Sequence, residues 1–194
     1  SHLVESSLVG HVSNGVMRVR QYVDAIRSGE LKPDIDAKTI SETSSGAVLD
    51  GQSSFGQVAA QHAMNFAIDK ARASGVGAVT LRNCYHSGRI GAHSELAAHQ
   101  EMIGIVMVNA GGGGQSTAPF GGSRPRLATN PISISAPPVD PFPVTLDIAT
   151  SVAPEGKVRD HLQRGEQMPA GWAIDSQGNS ITDPADFYKG PGGA

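Results

Sequence analysis

Residues 55–81 read FGQVAAQHAMNFAIDKARASGVGAVTL, and two different periods follow one another within them. Val58, Ala59, Ala63, Phe66, Ala67, Ile68 and Ala71 recur at helical spacing, and Gly75 supplies a stop. The spacing predicts a helix from Phe55 to Ser74. Val76–Leu81 is short and rich in β-branched residues, the pattern of a buried strand. A second helix, roughly residues 90–100, and a second strand, Ile103–Val108, continue this as a β-α-β alternation. That order predicts an α/β fold, with a sheet covered by helices.

Working outward, Val16, Val19, Tyr22, Val23 and Ile26 predict a helix over residues 14–28, stopped by Gly29. Leu3, Val4 and Leu8 read as the tail of a preceding helix. A polar connection through Lys32-Pro33-Asp34 leads to a short extended run at Ala47–Leu49 and a turn at Asp50-Gly51. Beyond residue 108, Gly111–Gly114 opens a glycine-rich loop that continues to Gly121-Gly122. Ile132–Ser135, Val144–Ile148 and Trp172–Ile174 are short extended runs, and Gln177-Gly178-Asn179 reads as a hairpin turn. The second half is therefore expected to be β-rich.

Composition narrows the function classes. With 194 residues and 39% apolar content, the chain can bury one core or two small ones. A net charge of −3 gives no footprint for a polyanion, which argues against nucleic acid. No eighteen-residue apolar run is present to span a membrane. Cys84 is the single cysteine, so neither an internal disulfide nor a multi-thiolate zinc site is available, and a reducing cytoplasm is expected. Ser1 at the start and a turn-like end over residues 188–194 read as those of a fragment.

Several residues are chemically suggestive. His86 follows the C-terminal end of the Val76–Leu81 strand, where open α/β folds place ligands, and histidine exchanges protons near neutrality. An ordinary surface histidine, one of seven, is the alternative. Asn14, Arg18 and Tyr22 are spaced i, i+4 and i+8, which puts them on one stripe of the predicted helix. Arg18 can meet a carboxylate through two N–H groups and Tyr22 can add a hydroxyl, unless the stripe is simply a solvated face. Asp147 ends an apolar run, where it can accept from ribose hydroxyls or cap the next turn. The glycine run is not followed by Gly-Lys-Ser/Thr, and Gly75-Val76-Gly77 lacks a later glycine, so neither a phosphate loop nor a Rossmann fingerprint is present. Cys84 and His86, two apart, keep a thiol hydrolase as an alternative chemistry. No His-Glu-x-x-His pattern points to a metal.

Six ordered blocks resemble the type 2 malate/L-lactate dehydrogenase family, which includes malate, lactate, ureidoglycolate and sulfolactate dehydrogenases and cyclic imino-acid reductases. They are Gly10–Arg18 with Tyr22, Asn83–Gly91, Ala128–Ile132, Leu146–Ser151, Pro169–Asp175 and Thr182–Pro184. The Gly88-Arg89-Ile90 run is nearest the hydroxycarboxylate dehydrogenase branch. The resemblance implies a mixed-sheet fold with a non-Rossmann nicotinamide-binding domain. Residues 1–50 would form an N-terminal helical, substrate-side segment, and residues 51–194 the nicotinamide-binding α/β domain, both incomplete.

The resemblance also implies an oxidoreductase that uses NAD or NADP to interconvert 2-hydroxy and 2-oxo acids, homodimeric at full length. By it, His86 is the acid/base and Arg18 holds the substrate carboxylate. Ser13, Asn14, Tyr22, Thr129 and Asn130 join Arg18 on the substrate side. Asn14, Ser87, Gly88, Arg89, Ile90, Asp147, Ile148 and Ala149 line the cofactor, and no metal is involved. Asn14 stands where the family pattern has histidine, an exchange that keeps hydrogen bonding but removes a titratable charge. With the shortened chain, this gives a second expectation: a catalytically silent nicotinamide-binding fragment or degraded copy.

Overall fold

The computed structural model describes residues 1–109, 115–139, 141–190 and 193; the Gly111–Gly114 run lies outside them. The helices are α1 (His2–Leu8), α2 (Val19–Ser28), α3 (Gly56–Ser74), α4 (Gly91–Ala98), α5 (Glu155–Arg164) and α6 (Pro184–Lys189). The strands are β1 (Lys38–Glu42), β2 (Gly46–Asp50), β3 (Ala78–Arg82), β4 (Gly104–Met107), β5 (Ile132–Ala136), β6 (Val144–Ile148), β7 (Ala173–Ile174) and β8 (Ser180–Ile181). Two compact units result, one from residues 1–106 and 133–146, the other from 107–132 and 147–194.

In the first unit, residues 55–81 form α3 and most of β3 as their periods predict. Gly75 closes α3 in the left-handed region, φ +82°, and its N–H reaches Ala71 O. The sheet around it differs from the expected alternation. β3 pairs in parallel with β2, and β2 in turn pairs antiparallel with β1, so this sheet is mixed. The crossover helix is therefore α3, between β2 and β3. β4 belongs to another three-stranded sheet, ordered β4-β5-β6. Burial explains the arrangement: Ala47 and Leu49 of β2 pack with Ala63 and Phe66 of α3 and with Val79 and Leu81 of β3. β1 occupies what reads as a polar connection; all five of its residues are exposed, so no apolar alternation announces it.

The helix predicted over residues 14–28 is broken. Two 3-10 turns, Val12–Asn14 and Val16–Arg18, precede α2, and Gly15 between them is extended at φ −95°, ψ −151°. Gly15 lies against Ser7, whose Oγ accepts from Val16 N–H at 3.1 Å. Asn14, Arg18 and Tyr22 therefore do not share a helix stripe; only Tyr22 is on α2. Tyr22, Ala25 and Leu31 form a small core with Leu3, Phe55 and Tyr85.

The second unit contains α5 and α6 as well as the β7–β8 hairpin, which corrects the expectation of a simply β-rich half. Val158, Met168, Ala173 and Phe187 form its core, with Trp172 and Ile181 packed on them. Fully burying a side chain the size of Val158, Met168 or Phe187 contributes about 1.5–3 kcal/mol. The hairpin turn forms where Gln177-Gly178-Asn179 predicts it, with the Asp175 carboxylate accepting from the N–H groups of Gln177 and Asn179. Asp183 caps α6 by accepting from Ala185 N–H, with Pro184 in the first turn. Among the described residues, no helix is long and apolar enough to cross a membrane.

Candidate active site

His86 lies in the segment that follows β3, as expected, and two elements fix it there. The first turn of α3 abuts it: a side chain at Gly56 would strike the carbonyl groups of Tyr85 and His86. Ser54 O accepts from Tyr85 N–H at 2.9 Å, holding the backbone one residue earlier. Asn83, which begins the turn, is left-handed at φ +53°, and its amide donates to the Asp50 carboxylate at 3.0 Å.

The side chain of His86 meets α2. Its Nδ1 lies 2.8 Å from the hydroxyl oxygen of Tyr22, a residue 64 positions earlier that is 5% exposed. Gln57 of α3 donates from Nε2 to the same oxygen at 2.5 Å. Burial raises the Tyr22 phenol above its ordinary value, and the Gln57 hydrogen bond and Arg18 only partly offset this. Tyr22 is thus a neutral hydroxyl at physiological pH. Arg18 stands beside the group: its Nε donates to Ser13 O at 2.6 Å and its Nη1 to Gln21 Oε1 at 2.7 Å. Gln21 passes the chain on to the Tyr85 hydroxyl at 3.2 Å. Asn14 closes its own 3-10 turn, its N–H donating to His11 O.

Ser87 to Ile90 continue from His86 into α4. Arg89 is 5% exposed and makes a two-pronged ion pair with Glu95, both N···O distances 3.0 Å, and a third contact to Glu5 at 2.8 Å. His2 Nε2 accepts from Arg89 N–H at 3.0 Å and stacks on His93, whose Nε2 contacts Ser87 O. Burial, with His93 next in weight, lowers His2 to about 4, so it is a neutral acceptor. Helix α1 therefore clamps the segment just after His86, and the Arg89 guanidinium is committed to carboxylates. Cys84 gives no support to a nucleophile: burial raises its thiol, the opposite of activation.

In the second unit, Thr129 and Asn130 form a turn pinned by Thr150, two residues after β6. Thr150 Oγ1 donates to Thr129 O and Asn130 O at 3.1 and 2.9 Å. This joins the turn to the strand end that carries Asp147, Ile148 and Ala149. Asn130 is left-handed at φ +45°, and its Oδ1 is a buried acceptor without a donor among the described residues.

Sequence reading missed Gln57, Gln21, His2 and Glu5. Tyr85 lies inside the Asn83–Gly91 block, where its hydroxyl accepts from Gln21. Nothing in the spacing of Gln57 marks it, because its partner comes from a helix 35 residues away.

The family described as malate/L-lactate dehydrogenase matches residues 1–194. The malate dehydrogenase of Pyrococcus abyssi is 42% identical over 97% of this chain and 51% of its own length. Hydroxycarboxylate dehydrogenase B of Escherichia coli is 39% identical over 100% of this chain and 53% of its own. The crystal structure of malate dehydrogenase from Entamoeba histolytica superposes with a TM-score of 0.92 at 36% identity, covering 97% of this chain and 52% of that one. The chain thus spans about half the length of the relatives it matches.

Proposed function

The chain belongs to the malate/L-lactate dehydrogenase family, and from that membership we propose an NAD- or NADP-dependent oxidoreductase that interconverts a 2-hydroxy acid and its 2-oxo acid. The observation that carries the reading is the 2.8 Å contact between Tyr22 and His86 Nδ1. It orients the imidazole in the segment beyond β3, and in this reading proton exchange is assigned to Nε2. In reduction, His86 gives its Nε2 proton to the carbonyl oxygen as the carbonyl carbon becomes a carbinol. In oxidation, Nε2 takes the hydroxyl proton back. Arg18, held by Ser13 and Gln21, offers its guanidinium to the substrate carboxylate. Ser13, Asn14 and Tyr22 are assigned to the substrate with it, and the family resemblance gives Thr129 and Asn130 of the second unit the same role.

The nicotinamide supplies and recovers the hydride when bound. The residues that would hold it are Asn14 and Ser87–Ile90 of the first unit and, by the family resemblance, Asp147–Ala149 of the second. The residues present fit such a group. Asn130 Oδ1 is a buried acceptor that lacks a donor among the described residues, and carboxamide and ribose hydroxyls are donors of the kind it lacks. The Asp147 carboxylate can also accept from ribose. With the Arg89 side chain in its ion pairs, the 87–90 segment contributes chiefly through its backbone. In this reading residues 1–50 form the substrate side and 51–194 the cofactor side. The full-length protein is a homodimer in the cytoplasm.

The test is oxidation of NADH and NADPH against a panel of 2-oxo acids, using this chain and a form lengthened to the extent of its relatives. Turnover is expected from the lengthened form, and His86→Ala lowers kcat by roughly 100- to 10,000-fold. Full turnover in His86→Ala would remove the acid/base assignment. Asn14→His is expected to tighten cofactor or substrate binding in a titration. Cofactor binding without turnover in both forms would instead favour the catalytically silent reading, for which Asn14 is the motivating residue.

A further inference from the structure

We propose that Gln57 is a positioning residue that sets which nitrogen of His86 carries its hydrogen, by turning its side-chain amide. The inference rests on the acid/base role proposed above for His86. Three observations carry it. Gln57 Nε2 and His86 Nδ1 both meet the same Tyr22 oxygen. Gln57 Oε1 is a buried acceptor without a donor among the described residues. Finally, Gln57 follows Gly56, whose backbone abuts Tyr85 and His86, and its Cγ lies against Gly88, so both ends of the His86 segment hold it in place.

The chemistry makes a definite demand on this chain of groups. To act as base at Nε2, neutral His86 must carry its one ring hydrogen on Nδ1. That hydrogen needs an acceptor, and the Tyr22 oxygen is the group beside it. Tyr22 must then point its own hydrogen elsewhere. In the orientation seen, Gln57 N–H donates to Tyr22 O, which favours Tyr22 O–H donating to Nδ1 and leaves the ring hydrogen on Nε2. A half-turn of the amide exchanges Nε2 and Oε1. Oε1 then accepts from Tyr22 O–H, Tyr22 O accepts from His86 Nδ1–H, and Nε2 keeps its lone pair. The two arrangements hold the same number of protons and differ in hydrogen-bond direction and in which ring nitrogen of His86 carries the hydrogen. Either one leaves one end of the amide unpaired among the described residues, so the far end does not lock the choice. During reduction the imidazolium donates from Nε2 and becomes the Nδ1–H form, the one the turned amide stabilises.

Ring-nitrogen NMR of the histidine-labelled chain tests this, with His86→Ala identifying the resonances, at a pH above the titration of the ring. Gln57→Glu presents only acceptor oxygens to Tyr22 and is expected to move neutral His86 wholly to the Nδ1–H form. Gln57→Leu removes the acceptor and is expected to move it toward Nε2–H. In the turnover assay, Gln57→Leu should lower kcat about tenfold with KM within about twofold, the scale of one hydrogen bond. Gln57→Glu should recover most of that loss. The same tautomer in wild type and Gln57→Glu overturns the proposal, and this comparison decides the matter should Gln57→Leu fail to fold. A tautomer response with no turnover on any 2-oxo acid would sink the proposed reaction while supporting the role of Gln57. Turnover with no tautomer response would do the reverse.

Discussion

The two three-stranded sheets bury opposite kinds of residue. In β1-β2-β3 the inward side is aliphatic: Leu49 is 0% exposed and packs with Ala47, Ala63 and Phe66. In β4-β5-β6 the fully buried side chains are Ser133 and Ser135, which meet Ser94 of α4 at 2.7 and 2.8 Å. Ser133 also donates to Leu146 O, and Ser135 pairs with Thr145. Meanwhile Ile105, Ile134, Val144 and Leu146, which alternate with these positions, remain exposed. One sheet is held by removal of apolar surface from water, the other by a closed set of hydroxyl hydrogen bonds. Apolar content therefore predicts that a strand exists better than it predicts which side of the strand is inside.

The contrast can be broken most severely from the first sheet. Leu49→Ala should cost about 2–5 kcal/mol in urea unfolding, because it opens a cavity in an apolar core. A loss below about 0.5 kcal/mol would show that this core is looser than its burial implies. Ser94→Val should come next, costing about 1–3 kcal/mol by leaving Ser133 and Ser135 without a shared partner. A gain in stability there would mean that the hydroxyl set is no better than a hydrocarbon filling. On the outward side, Ile134→Thr should change stability by less than about 0.5 kcal/mol while reducing the fluorescence of a bound hydrophobic dye.

A further effect concerns pH. His2 is lowered from 6.5 to about 4, so between those values the unfolded chain binds the extra proton and the folded chain does not. Stability therefore falls as pH drops through that window. His93, Glu5 and Arg89 face His2 and are its electrostatic neighbours, together with the chain's amino end. Hydrogen-exchange protection of α1, taken relative to the intrinsic rate at each pH, should fall from pH 6.5 towards 5, and His2→Ala should flatten that response. A slope unchanged in the variant would assign it to another group.

The sequence disclosed those parts of the fold whose periods are local. α3, β3 and the Asp175–Asn179 turn follow from spacing and turn residues alone. Asp183-Pro184 also carries a signal for the start of α6, a capping carboxylate followed by proline in the first turn. β1 was hidden because an exposed edge strand has no apolar side to alternate. α5 was hidden because among its ten residues only Val158 and Leu162 are large and apolar. The break at Gly15 depends on Ser7, a contact that helical spacing does not encode. Within the candidate site, His86 and Arg18 stood out by residue type and block. Their geometry did not, since Tyr22 and His86 are 64 residues apart and Gln57 looks like any polar residue on a helix.

Gly56 has a consequence for anyone reading this protein through its variants. It has no side chain, takes no part in proton exchange and contacts no substrate group in the proposed reaction. Yet its α-hydrogen occupies the space in which any larger group would press on the carbonyls of Tyr85 and His86. In a saturation library screened for turnover, position 56 should score as severely as position 86, and a screen alone would enrol it among the chemical residues. The backbone contact explains the difference: loss at 86 removes a proton carrier, whereas loss at 56 moves one.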